Sequence, residues 1–397
     1  MSSRIFAQKN YPWLIFVVAF VTLLGAAGFR STPGILIDPL NGEFGWGRGT
    51  VGTAVSINVL LFGFIGPFAA ALQGKYGLRR VTVIALLVIS VGALLTTQMT
   101  ATWQLYLLWG GVIGTGSGCM ATVFASTVAS RWFVQRRGLV MGALTAATAS
   151  GQLVFLPLLT RIADQHGWRW VGFTIAISAL SVVPLVGLFL RNYPSDIGLL
   201  PYGAESSYQQ PDVSGNPIRA AFAAFTSARR SGVFWLLFGS FFVCGLSTNG
   251  LIQTHFLPAA HDHGVNATTA ASYLALIGIF DVVGTIGSGW LTDRVDPAKL
   301  LMVYYAFRGV SLLFLDPVLG TRGMGLAGFM VFYGLDWVAT VPPTVSLCVE
   351  RLACSKARLC TGGFSRGTKL VLPLLLGERG HCVMQLVHIT NRSSSPE

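Results

Sequence analysis

One stretch limits what this chain can fold into more than any other: Arg131-Trp132-Phe133-Val134-Gln135-Arg136-Arg137-Gly138, three arginines between two long apolar runs. Trp103–Ala129 before it and Leu139–Leu159 after it carry no charged residue. Each run is long enough to cross a bilayer, which takes roughly 20 apolar residues. Lysine and arginine between two such spans are retained on the cytoplasmic side during insertion. The hinge therefore predicts a polytopic membrane protein and orients everything around it. Composition agrees, with 53% hydrophobic and only 11% charged residues, against about a quarter charged in a soluble domain. The net charge of +12 raises nucleic acid as a partner. The arginines, however, sit in short loops between apolar runs, so loop retention explains them, and the partner read here is the lipid bilayer, not nucleic acid. The six cysteines show no metal-type spacing and no disulfide framework.

In order along the chain, ten spans are expected. The first, about Tyr11–Ile37, is too long for a cleaved signal peptide and is followed by others; Arg30 lies in its outer third, before Pro33-Gly34. Five more follow at about Gly52–Leu72, Val81–Thr100, Trp103–Ala129, Leu139–Leu159 and Trp170–Leu190. Residues 191–230 are polar, with Arg219, Arg229 and Arg230, and read as a cytoplasmic connector. Beyond it come spans at about Val233–Phe256, Thr269–Leu291, Leu300–Leu315 and Gly323–Val345. The fold class is thus all-α, with a six-helix bundle over 1–190 and a second bundle of four clear helices over 231–345. The proposed inside segments hold 14 Lys and Arg and the outside loops four, which places the N-terminus inside. In span 4 Gly110, Gly114 and Gly118 recur every four residues, as do Gly138, Gly142, Ala146 and Ser150 in span 5. Such stripes let helix backbones approach closely where lipid removes the hydrophobic drive.

After Val345 the composition breaks. The last 52 residues hold four of the six cysteines and seven Lys/Arg, and their best apolar run, Leu370–Leu376, contains Pro373. An altered reading frame or a truncated gene is the expectation for 346–397.

Six spans, a polar connector and a second set of spans resemble the major facilitator superfamily. That family places a Gly-x-x-x-Asp-Arg-x-Gly-Arg-Arg turn between helices 2 and 3 and again between 8 and 9. Here the first copy reads Gly74-Lys75-Tyr76-Gly77-Leu78-Arg79-Arg80, with Gly74 in place of the acid. The second reads Gly289-Trp290-Leu291-Thr292-Asp293-Arg294-Val295-Asp296, with Asp296 in place of a glycine. The resemblance implies that Lys75, Gly77, Arg79, Arg80, Asp293 and Arg294 belong to conformational gate loops. The hinge Trp132-Phe133-x-x-Arg136-Arg137-Gly138 and Gly167-Trp168-Arg169 are similar to the monocarboxylate and oxalate/formate branch, and Pro194–Gly203 is similar to a segment common in bacterial members. Gly110 stands where drug/proton antiporters carry an arginine, which counts against that branch. The resemblance implies a secondary transporter in a bacterial inner membrane, moving a small organic anion with a proton or by exchange.

Four ionisable residues fall inside spans: Arg30, Asp281, Arg308 and Asp336. A charge at the bilayer centre costs roughly 2.5–3.5 kcal/mol on insertion scales, so it faces the bundle interior and finds a partner. Asp281, Arg308 and Asp336 lie 12, 8 and 13 residues into their spans, close to the midplane at ~1.5 Å of rise per residue. Two acids facing one arginine leave one excess negative charge. Either Arg308 pairs with one acid while the other carries a proton, or all three form a fixed structural network. Arg30 has the planar fork that suits a substrate carboxylate, or it snorkels to the outer interface. Where the monocarboxylate family has an arginine one turn after the helix-8 acid, Thr285 stands here.

Asn58, Gln152, Asn249, Gln253 and His255 are further polar residues within spans, read either as substrate contacts or as interhelical hydrogen bonds. His261-Asp262-His263 reads as a solvated cluster in an external loop, not a metal site. No nucleophile–base pair and no ATP-binding loop stand out, so neither an enzyme nor a cofactor is expected and any transport would be gradient-driven. The readings from other classes are a non-transporting membrane remnant or a receptor-like sensor, and within transporters a carrier of another small polar metabolite.

Overall fold

Apolar runs broken by basic turns become helices throughout the computed structural model, which describes residues 2–352 except 121, 205–221, 224, 227, 254–255, 257–259, 261–262, 265–266 and 321–323. At some helical positions, including Arg30, Gln152, Asn249 and Gln253, only the backbone is described. The tail from 353 onward, with the frame-disruption reading attached to it, lies outside the described residues, as do Arg219, Arg322, His255, His261 and Asp262.

The first span is interrupted: α1 (Ser2–Ala26) and α2 (Gly28–Phe44) meet at a turn on Ala27. Then come α3 (Arg48–Tyr76), α4 (Leu78–Thr96), α5 (Thr102–Trp132), α6 (Arg137–His166) and α7 (Trp168–Phe189). The later helices are α8 (Gly232–Gly245), which widens into a π-helical stretch over Leu246–Gln253, α9 (Ala267–Thr292) and α10 (Pro297–Leu313). The last expected span is split into α11 (Met324–Asp336) and α12 (Val341–Leu347). Seven helical stretches among the described residues are long and apolar enough to cross a membrane, when Gly325–Glu350 is taken as one stretch across its break. The remaining expected spans are the ones shortened or interrupted: the first at Ala27, the seventh at its π-helical end, and the ninth, which has 17 residues.

One buried cluster joins Ile15, Leu86, Phe124, Leu144 and Ile175, so α1 and α4 to α7 share a core. A second joins Ile252, Ile277, Leu326, Met330 and Tyr333 from the α8 extension, α9 and α11. The glycine stripe of α5 lies on α3. A Cβ at Gly114 would sit 3.1 Å from the backbone of Asn58, and one at Gly118 3.1 Å from the carbonyl of Phe62. Between these helices α5 has a π-helical segment, Tyr106–Ile113, and Asn58 Nδ2 donates to the carbonyl of Trp109 at 2.8 Å.

Three sequence pieces meet at the hinge. The backbone N–H of Tyr202 donates to the carbonyl of Trp132 at 2.8 Å, and that of Val134 to the carbonyl of Tyr202 at 2.9 Å. The Trp13 ring stands 5.4 Å from Phe133 and 5.8 Å from Tyr202. The segment after α7 is thereby fixed to the turn before α6.

From that turn α6 runs antiparallel to α9. A Cβ on Gly138 would strike the main-chain carbonyl of Gly289, and one on Gly142 would lie 2.5 Å from the carbonyl of Thr285. Farther along, Leu153 covers Gly278. The two helices touch backbone to backbone at the end that carries the basic loops.

Candidate functional site

The break between α11 and α12 organises the site. Pro342 and Pro343 open α12. Neither proline has an N–H, and each ring clashes with the carbonyl four residues earlier, so the helix cannot run through 337–340. A break at membrane depth leaves backbone groups that water cannot reach, and other groups must pair them.

Three side chains do so. Asp281 on α9 accepts from the N–H of Val338 at 3.0 Å. Arg308 on α10 donates through Nη2 to the carbonyls of Asp336 and Trp337, the latter at 2.7 Å. Ser288 on α9 donates through Oγ to the carbonyl of Ala339. The charges converge on the same place: Arg308 Nε donates to Asp336 Oδ2 at 2.8 Å, and Thr285 Oγ1 donates to Asp281 Oδ1 at 2.9 Å. Arg308 Nη1 reaches Cys244 Sγ on α8 at 2.8 Å, and that sulfur lies 3.4 Å from Thr340 Oγ1. Arg308, Asp281 and Asp336 are 2%, 3% and 5% exposed, so all three are withdrawn from solvent. One atom stands out: Asp336 Oδ1 is buried with no hydrogen-bond partner among the described residues.

The structure therefore brings Asp281, Arg308 and Asp336 together. Asn58 is spatially separate in its use, bridging α3 and α5 through the carbonyl of Trp109. Arg30 lies on α2, Gln152 on α6, and Asn249 and Gln253 on the π-helical extension of α8, their side chains outside the described residues. Sequence reasoning missed Ser288, Cys244 and Thr340. Ser288 had a signal, because Asp281, Thr285 and Ser288 recur at i, i+4 and i+7 and so share one helix face. Cys244 carries no such signal, because its neighbour on α10, Arg308, is far away in sequence.

The second of the two matching turns lies at the basic end. Asp293 accepts from the N–H of Gly138 at 2.7 Å and of Leu139 at 2.9 Å. These are free donors of the first turn of α6, where the helix dipole favours a negative charge. Arg294 stacks on Trp290 at 3.8 Å, and Asp296 caps α10 by accepting from the N–H of Ala298 at 2.9 Å. In the first turn Gly77 has φ of +89° and its absent Cβ makes room for Asn192. Asn192 Oδ1 accepts from the N–H of Arg79 at 3.0 Å, the place in α4 that Asp296 serves in α10.

At the other end, Glu43 in the last turn of α2 accepts from Arg169 Nη2 at 2.6 Å and from Trp168 Nε1 at 2.6 Å. The hydrogen bonds from Arg169, then from Trp168, hold the Glu43 carboxyl below its usual range.

Apolar helices of spanning length, basic turns at one end and buried charges pairing a broken helix define an integral membrane protein of the polytopic class. The chain belongs to the Major Facilitator Superfamily, whose sequence model matches residues 15–359. It is 23% identical over 349 residues to the uncharacterized MFS-type transporter YcxA of Bacillus subtilis, covering 86% of this chain and 81% of that protein. Monocarboxylate transporter 13 of Bos taurus is 29% identical over 359 residues, covering 87% of this chain and 77% of that one. Among solved structures, the proton:xylose symporter XylE bound to 6-bromo-6-deoxy-D-glucose superposes with a TM-score of 0.61 at 15% identity, covering 86% of this chain and 82% of that chain. The fucose:proton symporter FucP of E. coli gives 0.53 at 16% identity, covering 87% and 92%. These likenesses are of fold.

Proposed function

We propose that this protein is a secondary active transporter of a small organic anion, a monocarboxylate in class, working by proton symport or anion exchange. The single observation that carries the reading is the buried cluster of two acids and one arginine on a broken helix. The similarity to monocarboxylate transporters supports the choice of substrate class. Arg308 neutralises Asp336 and holds two carbonyls of the break. Asp281 forms no ion pair with a described cation and holds the break through the N–H of Val338. Asp281 is the acid we assign to the coupled proton. A protonated carboxyl no longer attracts that N–H as an anion does, so proton uptake loosens the break, and the path between α9 and α11–α12 adjusts with it. Asp293, directly after α9 and bonded to the start of α6, serves as the latch of the basic end, which we assign to the inside of an inner membrane. Arg30, Gln152, Asn249 and Gln253 remain proposed substrate contacts.

The test is labelled uptake in proteoliposomes across a panel of monocarboxylates, dicarboxylates and sugars. A monocarboxylate should accumulate when the outside is acidic and should exchange in counterflow. Asp281→Asn should abolish the pH-driven uptake while sparing exchange. Unchanged proton coupling in that variant sinks the role of Asp281, and absence of counterflow for every solute leaves a non-transporting membrane protein.

A further inference from the structure

The two gate turns differ in one respect that bears on what the membrane supplies. In the second, Asp293 provides the negative charge from within the chain and places it on α6. In the first, Gly74 occupies the corresponding position, so Lys75, Arg79 and Arg80 lie without that acid. None of the three forms an ion pair with a described carboxylate. Lys75 Nζ rests over its neighbour Tyr76 at 5.4 Å.

These cations border a recess of about 1230 Å³ between the α3–α4 turn and the end of α7. Its other wall is apolar: Val83 and Ile84 from α4 face Val183, Pro184 and Leu188 from α7. Ile84 and Leu188 are 60% and 66% exposed, turned outward along the spans. Gly187 lies in that wall with no atom of a described residue within 4 Å of the place of a Cβ, so the groove is open there. The one acid among the described lining residues, Asp196, accepts from the N–H of Tyr193. Arg131 donates to the carbonyls of Gln73 and Asn192 and so holds the two sides of the recess in place.

A cationic rim above an apolar groove between two membrane helices matches a molecule with an anionic phosphate head and acyl chains. Basic pockets between spans at the positively flanked face bind such headgroups, and the negative surface of that leaflet concentrates them. We propose that this recess binds an anionic phospholipid, its phosphate held by Lys75, Arg79 and Arg80 and one acyl chain lying along Val83, Ile84 and Leu188. The lipid then supplies to the first turn the negative charge that Asp293 supplies to the second.

The experiment uses the full chain in nanodiscs of phosphatidylcholine doped with phosphatidylglycerol, extracted gently and scored for retained lipid by native mass spectrometry. The wild type should retain phosphatidylglycerol over phosphatidylcholine, and millimolar inorganic phosphate should not displace it. Lys75→Gln/Arg79→Gln/Arg80→Gln should lower that retention at least tenfold. Gly187→Trp, which keeps every charge and fills open space, should lower it comparably, whereas Arg294→Gln should not. Equal retention of the two lipids by the wild type overturns the proposal, as does undiminished retention in Gly187→Trp. Displacement by inorganic phosphate also overturns it, since a free anion would then be the occupant.

Discussion

Arg308 shows how much one residue can hold. Its guanidinium donates to a carboxylate, two main-chain carbonyls and a thiol sulfur, on α11, the break after it and α8. A lysine ammonium is a point charge and cannot present that planar fork. Removing the arginine leaves Asp336 buried without its cation and the break without its donors. Breaking a buried pair from one side typically costs about 3–5 kcal/mol. Arg308→Ala should therefore unfold at markedly lower temperature in detergent, by about that loss. The double variant Arg308→Met with Asp336→Leu should recover much of the melting temperature, because both buried charges are gone, yet it should not regain transport. Recovery of both would show that the pair serves stability alone. Ser288→Ala is a smaller perturbation: leaving the carbonyl of Ala339 unpaired should cost about 1–3 kcal/mol, read in the same melting experiment.

At the scale of elements, the contact of α6 with α9 carries the sharpest expectation. Gly289 meets Gly138 and Gly142 with no side chain between them. Gly289→Val should wedge the two helices apart at the basic end, raising the alkylation rate of a cysteine introduced at Leu139 at least several-fold. Asp293→Asn should act in the same direction but more weakly, since a helix-terminus charge is worth about 0.3–2 kcal/mol. Much of this level was legible in the chain. The uncharged runs gave the helices, and α6 outran its expected end at Leu159 to His166 because Thr160–His166 is polar but helix-compatible. The stripes at Gly114 and Gly138 gave close packing, though not which helix each would meet. The depth of Asp281, Arg308 and Asp336 gave three members of the cluster. The break at 337–340 was not foreseen, even with Pro342-Pro343 in view, because the freed backbone groups are paired by side chains from α9 and α10, contacts no local pattern encodes.

Across the whole molecule, two clasps stand at opposite ends. Asp293 joins α9 to α6 at the basic end, and Glu43 joins the end of α2 to the start of α7. The Glu43 carboxyl titrates below its usual range because Arg169, then Trp168, donate to it. Its contribution is therefore complete above the ordinary carboxylate value and disappears as pH falls through the lowered one. A melting series taken downward through that acid range should show a fall in the wild type that is shallower in Glu43→Gln; equal slopes would mean that the clasp adds nothing. Arg308 has a further consequence, and it is electrical. An arginine keeps its charge throughout any cycle, and here it is bound to the protein, so it is never cargo. In the symport proposed above, one anion and one proton moved together carry no net charge across the bilayer. The membrane potential exerts about 2.3 kcal/mol per elementary charge per 100 mV, and on such a cycle it has no charge to act upon. If the proposed symport of one anion with one proton operates, clamping the potential of proteoliposomes with a potassium gradient and valinomycin should leave the accumulated level unchanged, while collapsing the pH gradient should stop accumulation; exchange alone would leave accumulation insensitive to the pH gradient as well.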